Sequence, residues 1–246
     1  CALPIYNDLY DAYWSHPGGT LVPVGLASAE RAGKVGGREF LAAYVMALEM
    51  MARLGRAVFP PTPTRDWASY GWLPPQIFGY FGGAALAGRL AGLTEVQQVS
   101  AFGLAYAQAA GTMEPLFGVG ADKGLYQAFP AQQSILAVRM AAKGIAGAPR
   151  SLEGKAGLFP LFFHGEYEPG ALTDGLGKRF LAEELGAYAF PSCGYTHVYV
   201  AETLKLVKEN GVRPQDVESV TLSVGPRALN LCEPREVRCS PRNMTE

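Results

Sequence analysis

The sequence is short of charge. Only 17 % of its 246 residues are Asp, Glu, Lys or Arg, and 21 basic side chains against 22 acidic ones leave a formal net charge of −1. So balanced a composition offers no electrostatic grip on nucleic acid, and a hydrophobic fraction of 49 % excludes intrinsic disorder. Histidine is scarce, with three residues, and cysteine nearly so, with four (Cys1, Cys193, Cys232 and Cys239) and no Cys-x-x-Cys pair. That is too few for a disulfide framework and points to a reducing, cytoplasmic compartment. Glycine (30) and proline (18) are plentiful but follow no triplet period, which excludes a collagen-like chain. Residues 1–20 hold no basic side chain and so read as neither a secretory nor a mitochondrial leader. With no initiator Met and an abrupt Asn243-Met244-Thr245-Glu246 ending, the expectation is a fragment of a longer protein.

Long apolar runs are also few. Trp72 to Gly88 and Val96 to Met113 are uncharged, but the first opens on Pro74 and Pro75 and the second carries Gln97, Gln98 and Gln108. Both read as helices buried on most faces, with no role for a membrane.

What is present is helical periodicity. Pro23 suits the first turn of a helix running to Ala32, stopped by Gly33 and Gly36. From Arg38 to Arg56, Phe40, Leu41, Tyr44, Val45, Leu48, Met51 and Leu54 recur at three-and-four spacing, and Glu49 and Arg53 stand four apart for a structural ion pair. Phe59 to Thr64 reads as a proline-broken loop. Residues 76–92, 95–111 and 131–143 give three more helices, with Thr94 as an N-cap and Gly144 as a stop. The texture changes near residue 186: a helix over Thr196 to Asn210 is followed by Val220, Leu222 and Val224 alternating with Ser219, Thr221 and Ser223, the pattern of a half-buried strand. The expectation is therefore a mainly α chain, with a helical domain over residues 1–186 and an α/β segment over 187–246.

Chemistry-bearing residues are sparse enough to weigh singly. Asp8, Asp11 and His16 precede Pro17-Gly18-Gly19. This places carboxylates and an imidazole in a loop before a helix, an arrangement that serves a general base or plain capping and turn formation. Lys123, in Gly118-Val119-Gly120-Ala121-Asp122-Lys123-Gly124, either binds a carboxylate or is a solvated loop cation. Gly118-x-Gly120 follows no strand pattern and is read as a turn. His164 with Glu166, and Cys193 with His197, lack the remaining ligands of a metal site, so no metal is expected.

Taken in order, several runs resemble one family. They are His16-Pro17-Gly18-Gly19-Thr20-Leu21-Val22-Pro23; Gly37-Arg38-Glu39-Phe40-Leu41 on to Arg53-Leu54-Gly55; Gly82 to Leu93; Lys123-Gly124-Leu125-Tyr126; Gly144-Ile145-Ala146-Gly147; Leu152-Glu153-Gly154; and Phe190-Pro191-Ser192-Cys193. Together they resemble the MmgE/PrpD family over nearly the whole chain. The resemblance implies a cofactor-free enzyme, usually a homodimer, with a large all-helical domain and a smaller α/β lid. The active site would lie between the two and move protons next to a carboxylate, in dehydration, hydration, decarboxylation or epimerisation of a small acid.

Carried over position by position, the resemblance makes Asp8, His16 and Lys123 the catalytic candidates. Asp8 falls on the last acid of the family's Asp-Phe-Asp-Asp run, His16 on its His-Pro histidine and Lys123 on its loop lysine. Trp72, Leu73, Tyr126 and Tyr188 become substrate-lining candidates. Leu73 replaces a family histidine, Tyr126 a second histidine and Tyr188 a lysine. The competing reading is a family-fold binding or assembly subunit without that chemistry.

Overall fold

The structure is a computed structural model that describes residues 8–10, 15–59, 71–114, 125–225 and 229. The chain is mainly α. Five long helices carry the fold: α1 (Pro17–Ala32), α2 (Gly37–Val58), α3 (Pro74–Leu90), α4 (Glu95–Tyr106) and α5 (Leu125–Ala142). Two short helices, α6 (Leu158–Phe163) and α7 (Pro169–Thr173), lead to α8 (His197–Asn210), and two-residue strands β1 (Asp8–Leu9) and β2 (Gly186–Ala187) form a ribbon.

Helix α3 is the axis of the core. Of its 17 residues only Pro75 and Arg89 escape burial, and it packs against α1, α2, α4 and α5 at once. Its sequence explains this: Gly79, Gly82, Gly83, Ala84, Ala85, Ala87 and Gly88 keep the helix thin enough for four neighbours, while Ile77, Phe78, Phe81 and Leu86 supply apolar area and are fully buried. The neighbours contribute Leu21 and Val24 from α1, Met51 and Leu54 from α2, and Phe159 and Phe163 from α6. None of the described helices is long and apolar enough to cross a membrane.

Two sequence signals hold as read. Thr94 caps α4 reciprocally: its Oγ1 accepts from the Gln97 backbone N–H, and the Gln97 side chain accepts from the Thr94 N–H at 3.0 Å. Glu49 and Arg53 pair at 2.6 Å with both side chains buried. Arg53 also donates to the carbonyls of Ala171, Asp174 and Arg179, and the second Glu49 oxygen accepts from the Ala182 N–H. The pair is thus a clasp that holds residues 171–182 against α2. Arg53→Met keeps the length but strands a buried carboxylate. It should cost about 3 to 5 kcal/mol in denaturant unfolding; a shift within 0 to about 1 kcal/mol, as for a solvated pair, would contradict the clasp.

Several boundaries differ from the sequence reading. Helix α1 starts at Pro17, six residues before the expected Pro23, which lies inside it. The Gly18-Gly19 pair that reads as a turn lies in the first turn of α1, where side chains from outside the helix bond the Gly18 N–H and the His16 carbonyl. Helix α5 likewise starts at Leu125 and takes in Pro130. Helix α4 stops at Tyr106 rather than residue 111, because the following chain pairs with residues 71–73: Leu73 N–H donates to the Gly111 carbonyl at 3.1 Å and Met113 N–H to that of Gly71 at 2.8 Å. Residues 220–224 are not a strand. They lack a ladder partner among the described residues, and Val220 is 71 % exposed. The loop expected over residues 59–64 lies, past Phe59, outside the described residues.

Candidate active site

The first turn of α1 is where the fold gathers its polar groups. The backbone N–H of Gly18 donates to Asp8 Oδ2 at 2.6 Å, so a carboxylate from β1 satisfies one of the orphan donors at the positive end of a 16-residue helix. A Cβ on Gly18 would lie 2.9 Å from that oxygen, and one on Gly19 would overlap the Gln127 side chain. Both positions therefore need glycine for close approach. Gln127, in the first turn of α5, donates through Nε2 to the His16 carbonyl at 3.0 Å and accepts from Thr20 Oγ1 at its own carbonyl at 3.3 Å. The His-Pro-Gly-Gly run thus marks a three-way junction of β1, α1 and α5.

His16 is held from both sides. Its Nδ1 lies 2.7 Å from the Asp8 carbonyl oxygen, and its Nε2 lies 3.5 Å from the Tyr188 hydroxyl. The Tyr188 ring stands edge-on to His16, with centroids 5.5 Å apart, and edge-on to His197 at 4.7 Å. Tyr188 reaches this point because β2 pairs antiparallel with β1, Ala187 opposite Asp8 and Gly186 opposite Leu9. Three of the residues singled out from the sequence, Asp8, His16 and Tyr188, are brought together.

The electrostatics are those of a partly desolvated carboxylate. Burial raises the Asp8 carboxyl above its ordinary value of 3.8, opposed by the Gly18 N–H and by the charge of His16. Nearby Tyr44, on α2, is pushed up to about 12 by burial and by the Asp8 charge, so its hydroxyl stays protonated at any working pH. Tyr44 counts only as one apolar position of α2 in the sequence. Its part here depends on the packing of α2 beside β1, which no local pattern carries.

The other candidates fall elsewhere or outside. Tyr126 is half-buried in the first turn of α5, next to Gln127. Leu73 caps α3, and Trp72 packs edge-on against Phe162, with centroids 4.8 Å apart, on the main core. Lys123 and Asp11 lie outside the described residues. His164 is an exposed residue that ends α6 in the left-handed conformation, φ 54°. His197 Nε2 lies 3.2 Å from the Ser192 carbonyl, and Cys193 is exposed. Among the described residues no three His, Cys, Asp or Glu side chains are grouped to hold a metal ion.

The sequence profile of the MmgE/PrpD N-terminal domain matches residues 6–169. A cis-aconitate decarboxylase-like protein of Aspergillus oryzae is 28 % identical over 216 residues, covering 83 % of this chain and 44 % of its own length. A cis-aconitate decarboxylase of Aspergillus terreus is 27 % identical over 184 residues, covering 72 % of this chain and 36 % of its own. The chain spans less than half the length of either relative.

Proposed function

Because the chain belongs to the MmgE/PrpD family, we propose that it is part of a cofactor-free lyase that moves a proton at the carbon next to a carboxylate of a small organic acid, with decarboxylation the leading reaction. One observation carries this reading: His16, held at Nδ1 by the Asp8 carbonyl, meets the Tyr188 hydroxyl at the junction where the Asp8 carboxylate also sits, on the Gly18 N–H. A carbon acid next to a carboxylate needs a base within hydrogen-bond reach and fixed positive charge where negative charge develops. Asp8 and His16 supply the proton-transfer groups, the positive end of α1 lies beside them, and Lys123 is assigned the counter-charge. The working protein is taken to be a cytoplasmic homodimer with the division near residue 186.

In decarboxylation the bond to the departing carboxyl breaks, its electron pair stays on the carbon and spreads toward the neighbouring carboxylate, and a proton from the site forms the new C–H bond. Dehydration or epimerisation uses the same groups in a different order, with removal of a proton first.

Substrate charge follows from what is missing. Tyr188, beside His16, carries no positive charge where the family resemblance implies a lysine. Each lost charge-assisted hydrogen bond is worth about 1.5 to 3 kcal/mol, or roughly ten- to a hundredfold in affinity. The preferred acid is therefore less charged, and more apolar, than cis-aconitate or 2-methylcitrate. A turnover screen of the full-length protein tests both statements, with those two acids set against mono- and dicarboxylates and carbon dioxide release and water loss followed in parallel. Best turnover on a mono- or dicarboxylate is expected. Efficient turnover of a tricarboxylate would refute the charge argument, and no turnover of any acid would favour the binding or assembly reading.

A further inference from the structure

We propose that Tyr188 is a positioning residue for His16, its phenol holding Nε2 as the proton-accepting nitrogen while the Asp8 carbonyl holds Nδ1. The proposal rests on the reading that His16 moves a proton. A carbonyl has no hydrogen to give, so the 2.7 Å contact requires Nδ1 to be the donor. In the neutral ring Nε2 is then the bare, basic atom, and the Tyr188 hydroxyl 3.5 Å away is placed to donate into its lone pair. That contact is long enough for a substrate proton to displace, which a tight hydrogen bond would resist.

Both contacts trace to one device. The register of the two-residue ribbon sets Asp8 opposite Ala187. The strand whose carbonyl fixes Nδ1 is thereby tied to the strand whose next residue faces Nε2. Tyr188 is backed in turn by His197, whose Nε2 donates to the Ser192 carbonyl and whose ring lies edge-on to Phe190 at 5.4 Å. The phenol is wedged between two imidazoles, so the segment after β2 can steer His16.

The test uses full-length protein labelled with nitrogen-15 in histidine, with the His16 signals identified by their loss in His16→Gln. At neutral pH the wild type should show a protonated Nδ1 and a bare Nε2 displaced toward the protonated range by the phenol. Tyr188→Phe should leave Nδ1 in place, move Nε2 to the free-imine position and lower kcat about ten- to a hundredfold, with KM changed far less. If Tyr188→Phe does not fold, incorporation of 3-fluorotyrosine, a stronger donor, should move the Nε2 signal further toward the protonated range. A wild type protonated on Nε2 rather than Nδ1, or Nε2 signals that ignore both changes to the phenol, would overturn the assignment. If the wild type turns over no acid, the lyase reading fails while the nitrogen signals still decide this one.

Discussion

Asp8→Asn should lower kcat by about 10²- to 10⁴-fold while leaving the chain at least as stable at neutral pH as the wild type. The loss is that of a proton-transfer group, since the amide is isosteric but neither takes nor gives a proton near neutrality. Stability is retained because the amide carbonyl still accepts the Gly18 N–H that the carboxylate accepts at 2.6 Å. The pH dependence adds a second arm. Burial raises the folded-state value of this carboxyl above 3.8, so between 3.8 and that raised value the folded chain binds more protons than the unfolded one. The Asp8 contribution therefore weakens stability progressively as pH climbs through that window, and the penalty persists in full above it. Asn carries no such penalty, so melting curves from pH 4 to 7 should fall less steeply for the variant. Unchanged turnover would reduce Asp8 to the cap of α1.

Lys123→Met should come next in size, with turnover reduced about 10²- to 10³-fold and melting temperature unchanged. Lys123 stands four residues before Gln127, whose side chain is bonded to the His16 carbonyl, and it is followed by Gly124. Methionine keeps most of the length and removes the charge, so a loss of turnover reports the charge alone. Kinetics identical to the wild type would make Lys123 a solvated loop residue.

The helices were legible because their apolar positions repeat at the helical period, and the Thr94 cap and the Glu49–Arg53 pair because both partners lie within four residues, whereas the pair's grip on residues 171–182 was not. What the sequence conceals is long-range. The first turn around Gly18-Gly19 is anchored by Asp8 at the Gly18 N–H and by Gln127 at the His16 carbonyl, and Gln127 is more than a hundred residues away. A ribbon of two residues per strand is too short to alternate, so neither β1 nor β2 has a signature, and the meeting of His16 with Tyr188 across 172 positions depends on it. The alternation over residues 220–224 misleads for the opposite reason: it records a strand's side-chain pattern, but a strand exists only beside a partner. The candidates Asp8, His16 and Tyr188 could be named singly, through the family resemblance, whereas their meeting, the hydrogen bond that fixes His16 Nδ1 and the place of Tyr44 needed the packing.

Hydrogen–deuterium exchange at the carbon next to the carboxylate, followed by proton resonance for the full-length protein in heavy water with its best acid, tests the proton-transfer centre most directly. Deuterium in place of hydrogen at that carbon, in substrate or product, with the wild type, and its near absence with Asp8→Asn, is the result expected of a proton-transfer centre at this junction. Exchange at the same rate in both proteins would place the chemistry elsewhere in the chain.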